Sequence, residues 1–284
     1  MLTTATVLPE LGESAAIFLL AILQGITEFL PISSSGHLVL AHAALGSQEE
    51  SSLALDVALH VGTLVAVLIA YRRDVRSIVS DVFKGRFRVL IWLIVATIPI
   101  GVVGMLAKDA IAATFLAPRV AGGGLVFTAL VLAVAERARV QAGRRAPVAG
   151  DVPDEVEGRG REPALADAII MGLAQALAIL PGVSRSGMTI SAGLIRGLST
   201  EQAARYSFLM SIPAVMGAAI VTLPDAAAEG FAGVPPGIVL GAVALAALVG
   251  WAALRLLLLT LARGAFRWFA VYCALLGGAV LAFA

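Results

Sequence analysis

The sequence is short of charge: only 14% of its 284 residues are Asp, Glu, Lys or Arg, against about 25% in an ordinary soluble domain. That deficit is too large for a surface facing water on all sides. Aromatic residues are scarce too, at 6%, so the apolar content is mostly Ala, Leu, Val, Ile and Gly. The single cysteine, Cys273, excludes a disulfide within the chain and any cysteine-based metal cluster. Inside an apolar run it reads as a packing residue. Residues 1–14 contain no Lys or Arg, so no cleavable leader is expected. The net charge of +1 singles out no partner, and no nucleic-acid partner is expected.

What remains is apolar sequence, 60% hydrophobic by count with a mean hydropathy of +0.96. A helix needs roughly 20 apolar residues to cross the hydrocarbon core. Six stretches qualify: 53–70, 89–107, 120–135, 206–223, 238–262 and 265–284. Two more, 15–45 and 164–198, are long but broken at their centres by LPISSSGH and LPGVSRSG. Half-length helices around a polar tip predict re-entrant hairpins, since irregular backbone at membrane depth must be buried in protein or line a wet cavity. The expected fold is all-α, a polytopic membrane protein in which each half is a re-entrant helix hairpin followed by three transmembrane helices.

The basic residues sort by loop. Arg72, Arg73, Arg76, Lys84, Arg86 and Arg88 fall in one, Arg137, Arg139, Arg144, Arg145, Arg159 and Arg161 in another, and Arg263 and Arg267 in a third. The alternate loops carry only Lys108 and Arg119. The positive-inside rule assigns the rich loops to the cytoplasm and both termini to the outside. Repeat one is expected over about 15–137, a polar cytoplasmic linker over about 138–163, and repeat two over about 164–284, all within one membrane domain. A shift of 151 residues superposes Gln24 on Gln175, Ser33 on Ser184, Ser35 on Ser186 and Gly36 on Gly187 without a gap. Hairpins opening on opposite faces make this an inverted-topology repeat, an arrangement that builds a site where broken helices meet.

Both breaks are rich in chemistry. In the first, Gln24 and Glu28 share a helix face at i and i+4, Ser33, Ser34, Ser35 and Gly36 form a donor-rich bend, and His37 follows. A carboxylate, hydroxyls and an imidazole beside a helix start can bind an anion or activate a nucleophile. The plain alternative is a Ser-rich hinge with a hydrogen-bonded histidine. An ionisable residue at membrane depth, however, costs about 3 kcal/mol or more and points to function. In the second break Arg185 stands between Ser184 and Ser186, with Thr189 beyond. Its guanidinium suits two-pronged binding of phosphate or carboxylate. A structural pair with Glu28 is the alternative, and the two are compatible if Glu28 holds Arg185 until a phosphate arrives. Elsewhere, Asp56 and His60 share a helix face with a weaker claim on the site. Arg255 is expected to snorkel, and Trp92, Trp251 and Trp268 to anchor at the membrane interface.

The stretches QGITEFLPISSSGH and LPGVSRSGMT together resemble the paired signatures of the undecaprenyl-diphosphate phosphatase family, also known for bacitracin resistance. The resemblance runs on through LDVALHVGTLVAV and the order of spans. It implies hydrolysis of undecaprenyl diphosphate to the monophosphate and inorganic phosphate, recycling the lipid carrier of peptidoglycan synthesis. It also implies a bacterial plasma membrane, a site facing outside, and help from a divalent cation, Mg or Ca, bound with the substrate. By position, Glu28 matches the family's second acidic residue, Ser34 its proposed nucleophile, His37 its motif histidine and Arg185 its diphosphate-binding arginine. Gln24, Ser33, Ser35, Ser184, Ser186 and Thr189 are the expected substrate-binding donors. One departure matters: familiar members carry Glu where this chain has Gln24, so Glu28 alone is left as acid and metal ligand. A site with one carboxylate can still share a cation with substrate phosphates. An anion or lipid-phosphate carrier is the main rival, since carriers also use inverted repeats. A hydrolase built on a Ser34–His37 dyad is a weaker one. Membrane lipid is an expected partner, and the sequence leaves homodimerisation open.

Overall fold

The computed structural model describes residues 12–46, 51–145, 163–228, 231–261 and 266–284. Their regular elements are all helical: α1 (Glu13–Phe29), α2 (Ser34–Leu45), α3 (Ser51–Ala70), α4 (Arg72–Phe83), α5 (Arg88–Leu106) and α6 (Lys108–Phe115) are followed by α7 (Pro118–Arg145), α8 (Leu165–Leu177) and α9 (Arg185–Ile195), and then by α10 (Thr200–Ala228), α11 (Pro236–Leu261) and α12 (Phe266–Phe283), with one 3-10 turn between α10 and α11. By length and composition α5, α7, α10, α11 and α12 can cross a membrane; α3 makes a sixth when counted with α4. These six match the six uninterrupted apolar stretches of the sequence. The chain is a multi-pass membrane protein.

The bundle is apolar on its surface as well as in most of its interior, which also holds a set of polar side chains. On α5, Ile91, Ile94 and Ile98 point outward, 51%, 48% and 54% exposed, while Gln24, Asp167, Gln175 and Ser207 are fully buried. That pattern suits a chain solvated by lipid, where polar groups are turned inward. Small residues set the spacing between helices. A Cβ on Gly62 of α3 would lie 2.4 Å from the Val243 carbonyl of α11, and one on Gly172 of α8 would lie 2.6 Å from the Ala96 carbonyl of α5.

Packing crosses between the halves: α1 and α3 lie against α11, α8 and α10 lie against α5, and α7 pairs with α12. The two broken regions are helix pairs, α1 with α2 and α8 with α9, each packed on its own partner. Both breaks end on a serine-capped helix.

Three features differ from the sequence expectation. Residues 72–83, read as a basic loop, form α4, which bends 80° from α3. Its apolar residues Val75, Ile78, Val79 and Val82 recur at helical spacing, which makes it amphipathic. Second, α7 continues to Arg145, into the expected linker; Arg139 there bridges Glu136 at 2.8 Å. The rest of that linker, 146–162, lies outside the described residues. Third, α6 is a short helix in the loop after α5. Where α4 turns into α5, the start of α10 and Pro163 help enclose a cavity of about 700 Å³.

Candidate active site

Helix α1 stops at Phe29 because Pro31 follows: Leu30, restricted by its neighbour, is extended at ψ 140°. The chain then turns through Ser33 at φ 69°, a left-handed conformation that costs a non-glycine residue about 1 kcal/mol or more. Two bonds hold it there. Its hydroxyl accepts the Gly36 N–H at 3.2 Å, capping α2, and its carbonyl accepts the His37 Nδ1–H at 2.7 Å. The second break repeats the device, with the Ser184 hydroxyl accepting the Gly187 N–H at 3.1 Å to cap α9. The cap is the same in both breaks, but Ser184 holds it with an extended backbone at φ −73° where Ser33 is left-handed.

The breaks touch. A Cβ on Gly36 would stand 2.8 Å from the Gly182 Cα. Gly182 itself sits at φ 87°, where an added Cβ would lie 2.0 Å from the Ala121 carbonyl; no other residue type fits. The Ser186 hydroxyl donates to the Leu30 carbonyl at 3.1 Å, joining one break to the other. Thr128 of α7 braces the second break, donating to the Gly182 carbonyl and accepting the Ser184 N–H, both at 2.9 Å.

Glu28 is the hub of this junction. Its Oε2 accepts the Ser34 hydroxyl at 2.6 Å and the Gln24 Nε2–H at 3.0 Å, and its Oε1 accepts the Arg185 guanidinium. Ser34 and Arg185 are the first residues of α2 and α9, so two helix N-termini converge on the carboxylate. Such an end favours negative charge. The Arg185 Nη1 is buried with no hydrogen-bond partner among the described residues, as is the Gln24 Oε1. One arm of the guanidinium is thus held by Glu28 and the other keeps its donors for a second acceptor. A hydroxyl donating to a carboxylate is the arrangement that activates a serine nucleophile.

The other expected site residues fall in two groups. Ser33, Ser184 and Ser186 are occupied in shaping the breaks, and Thr189 bonds the Arg185 carbonyl at 2.8 Å and the Ser207 hydroxyl at 2.6 Å. Ser35, half-buried, lies 3.2 Å from the Ser33 hydroxyl. His37 faces away from Ser34. Its Nδ1–H is spent on Ser33, so its Nε2 accepts the Tyr272 hydroxyl at 2.7 Å, with the two rings stacked 5.7 Å apart. The Ser34 proton therefore points to Glu28, not to His37, and the bonds of a Ser34–His37 dyad are absent from this arrangement. His60 comes closer than its sequence position promised, with Nε2 3.4 Å from the Glu28 Oε2 and Nδ1 fixed on the Asp56 carbonyl at 2.7 Å. Asp56 turns its carboxylate to His42 instead, at 3.1 Å. Sequence reasoning passed over His42, Tyr272 and Thr128 altogether. Of these only His42, a polar residue in an apolar helix, carried any signal. Arg255 lies exposed over the Trp251 ring at 4.8 Å.

No group of three or more His, Cys, Asp or Glu side chains among the described residues could hold a metal ion. Glu28, the sole carboxylate on the two breaks, has both oxygens engaged by donors. A cation could reach the Glu28 Oε1 only once the Arg185 arm has left it, and would need its other ligands from elsewhere.

Comparison with known proteins bears on the chain as a whole. The family model described as bacitracin resistance protein BacA matches residues 17–279. A protein of Halothermothrix orenii named undecaprenyl-diphosphatase is 40% identical over 267 residues, covering 93% of this chain and 96% of its own. Proteins of the same name from Gemmatimonas aurantiaca, 40% identical over 272 residues, and Mycolicibacterium gilvum, 37% over 277, cover 93% of this chain and 95% and 94% of their own.

Proposed function

The chain belongs to the bacitracin resistance protein BacA family, and from that premise we propose how it works as an undecaprenyl-diphosphatase. It is a membrane hydrolase that cleaves undecaprenyl diphosphate to undecaprenyl phosphate and inorganic phosphate. The observation that carries the mechanism is the convergence of Ser34 and Arg185 on the two oxygens of Glu28. Arg185 swings one or both arms onto the diphosphate. Glu28, released from the guanidinium, takes the Ser34 proton as the Ser34 oxygen bonds to the terminal phosphorus. The bond from that phosphorus to the bridging oxygen breaks, and the lipid monophosphate leaves with the electron pair. Water then cleaves the phosphoserine, returning the proton to Ser34 and freeing phosphate. The N–H groups at the starts of α2 and α9, with Arg185, stabilise the charge on the transferring group. A divalent cation, Mg or Ca, held by Glu28 and the substrate phosphates would neutralise diphosphate charge. His37 serves by fixing the bend at Ser33, and Gln24 by orienting Glu28. A carrier reading leaves the Ser34–Glu28 bond without a task.

The geometry also supports two inverted repeats. Both breaks use one capping device, and packing is exchanged, α1 on α11 and α8 on α5. Pro163, which leads into α8, lines the same cavity as Arg86, Arg88 and Arg205, whereas α1 and α2 belong with the start of α3, the far end from Arg72. The hairpins then enter from opposite faces, the Arg-rich end is cytoplasmic, and the first hairpin opens outside with the substrate. The test of the function is release of inorganic phosphate from undecaprenyl diphosphate by the pure protein in detergent, with and without chelator. Release that stops with chelator and returns with Mg or Ca supports the reading; no release under any condition refutes it.

A further inference from the structure

Each half of the chain ends on a helix that reaches across to the break of the other half. Helix α7, the last of the first half, braces the second break through Thr128. Helix α12, the last of the second, packs along α7 and touches the first break at two successive residues. The Tyr272 hydroxyl meets the His37 Nε2 at 2.7 Å, and the Cys273 Sγ lies 3.7 Å from the Pro31 carbonyl. Ile32, just before the bend, is packed in one apolar cluster with Leu125 and Ala129 of α7 and Cys273 of α12. Neither Thr128 nor Tyr272 has a chemical step in the proposed hydrolysis.

The bond to Tyr272 fixes what His37 can do. The His37 Nδ1 faces the Ser33 carbonyl at 2.7 Å, and a carbonyl only accepts, so Nδ1 carries the ring proton. The Nε2 of a neutral ring is then a lone pair, and the phenol is its donor. Both nitrogens of a ring that is only 8% exposed are thereby engaged. What this holds is Ser33 at φ 69°, the residue directly before Ser34. A turn of the ring would let Ser33 relax toward the ordinary backbone regions and swing the Ser34 hydroxyl away from the Glu28 Oε2, which it meets at 2.6 Å. Small displacements of an attacking group are costly to rate.

We propose that Tyr272 is a positioning residue for the reaction: acting through His37, it holds the bend at Ser33 that aims the Ser34 hydroxyl at Glu28. This rests on the reading of Ser34 as the nucleophile. Helix α12, which supplies no reacting group, is then part of the frame of the active site. Tyr272 governs turnover and not substrate binding, since the diphosphate is gripped by Arg185 of the other break. The Ser33 carbonyl also accepts the His37 backbone N–H at 3.2 Å, so without Tyr272 the bend loosens and does not collapse.

The test is Tyr272→Phe, which removes the hydroxyl and keeps the ring; with the residue 43% exposed, the packing of α12 is left as it was. Phosphate release from undecaprenyl diphosphate in detergent should show kcat lowered about fivefold, as the loss of one net hydrogen bond does, and KM within about twofold of the parent. His37→Asn keeps an amide donor for the Ser33 carbonyl and offers nothing to Tyr272. Adding Tyr272→Phe to it should therefore change kcat by less than about twofold. Solid-state NMR on bilayer-embedded protein carrying nitrogen-15-labelled histidine reads the bond without turnover. The signals lost in His37→Asn identify His37, with Nδ1 protonated and Nε2 bare; Tyr272→Phe should move the Nε2 signal while Nδ1 stays protonated. A kcat for Tyr272→Phe within about twofold of the parent, full additivity of the two losses, or an Nε2 signal that stays in place overturns the proposal and leaves the hydrolysis standing. A parent protein that releases no phosphate refutes the hydrolysis, and this role with it.

Discussion

Replacing Glu28 by Gln separates the ion pair that the carboxylate makes with Arg185 from the base role proposed for it. The substitution keeps size and leaves a carbonyl to accept hydrogen bonds, but it removes the charge that Arg185 answers and the base that Ser34 needs. The side chains of Glu28 and Arg185 are only 7% and 15% exposed. Removing one partner of a buried ion pair costs about 3–5 kcal/mol, because the other charge is left uncompensated. With a carbonyl still in place the lower end, about 3 kcal/mol, is expected, read as a lower melting temperature in detergent. Loss of a positioned proton acceptor lowers kcat by about 10²–10⁴, read as phosphate release at saturating undecaprenyl diphosphate. The double variant Glu28→Gln/Arg185→Gln distinguishes these effects. It should recover part of the lost stability, since no lone charge remains buried, and none of the activity. A single variant that keeps more than about a tenth of kcat, or a double variant less stable than the single, refutes the reasoning.

Arg185→Lys should lose about thirtyfold in kcat/KM, because a point charge replaces one arm on Glu28 and one on phosphate; steady-state kinetics within threefold of the parent would contradict the clamp. Gln24→Glu should keep activity and lower the cation concentration needed for half-maximal rate, since a second carboxylate would face the substrate; a metal titration checks this. Gly182→Ala should lose folded protein on size-exclusion in detergent, because its Cβ would meet the Ala121 carbonyl at 2.0 Å in a backbone conformation that alanine resists. In a Cys273→Ala background, a cysteine at exposed Ala44 should react with an impermeant thiol reagent on intact cells and one at exposed Phe83 should not; the opposite pattern reverses the orientation.

Much of this was legible in the sequence, for identifiable reasons. Six uninterrupted apolar runs leave few alternatives in lipid. Pro31 and Pro181 with their serines mark where helices must stop, because proline and capping residues act on their own neighbours. Glu28, Ser34 and Arg185 stood out because charge and hydroxyl clusters are expensive in apolar sequence. What escaped notice depends on distant partners. Tyr272 reaches His37 across 235 residues, and Thr128 braces Ser184 across 56; in their own helices each is one more side chain in an apolar run. His60 was underrated because spacing alone could not tell that α3 turns it toward Glu28 while Asp56 turns away to His42. The resemblance marked the serines as substrate-binding donors, and spacing did not reveal that Ser33 and Ser184 also accept backbone N–H groups to cap the two helices. Helix α4 was hidden by its charge, since arginine-rich segments between spans read as loops.

Ser34 and Arg185 occupy matching positions, 151 residues apart, each directly after a capping serine. Two identical halves would set either two hydroxyls or two guanidinium groups at the junction, and a carboxylate in both or in neither. Here one half supplies Glu28 and Ser34, while the other has Ile179 and Arg185 at the corresponding places. On the proposed mechanism this is a division of labour: one half would keep the reacting atoms and the other the grip, and a chain with two copies of either half would lack one of the two.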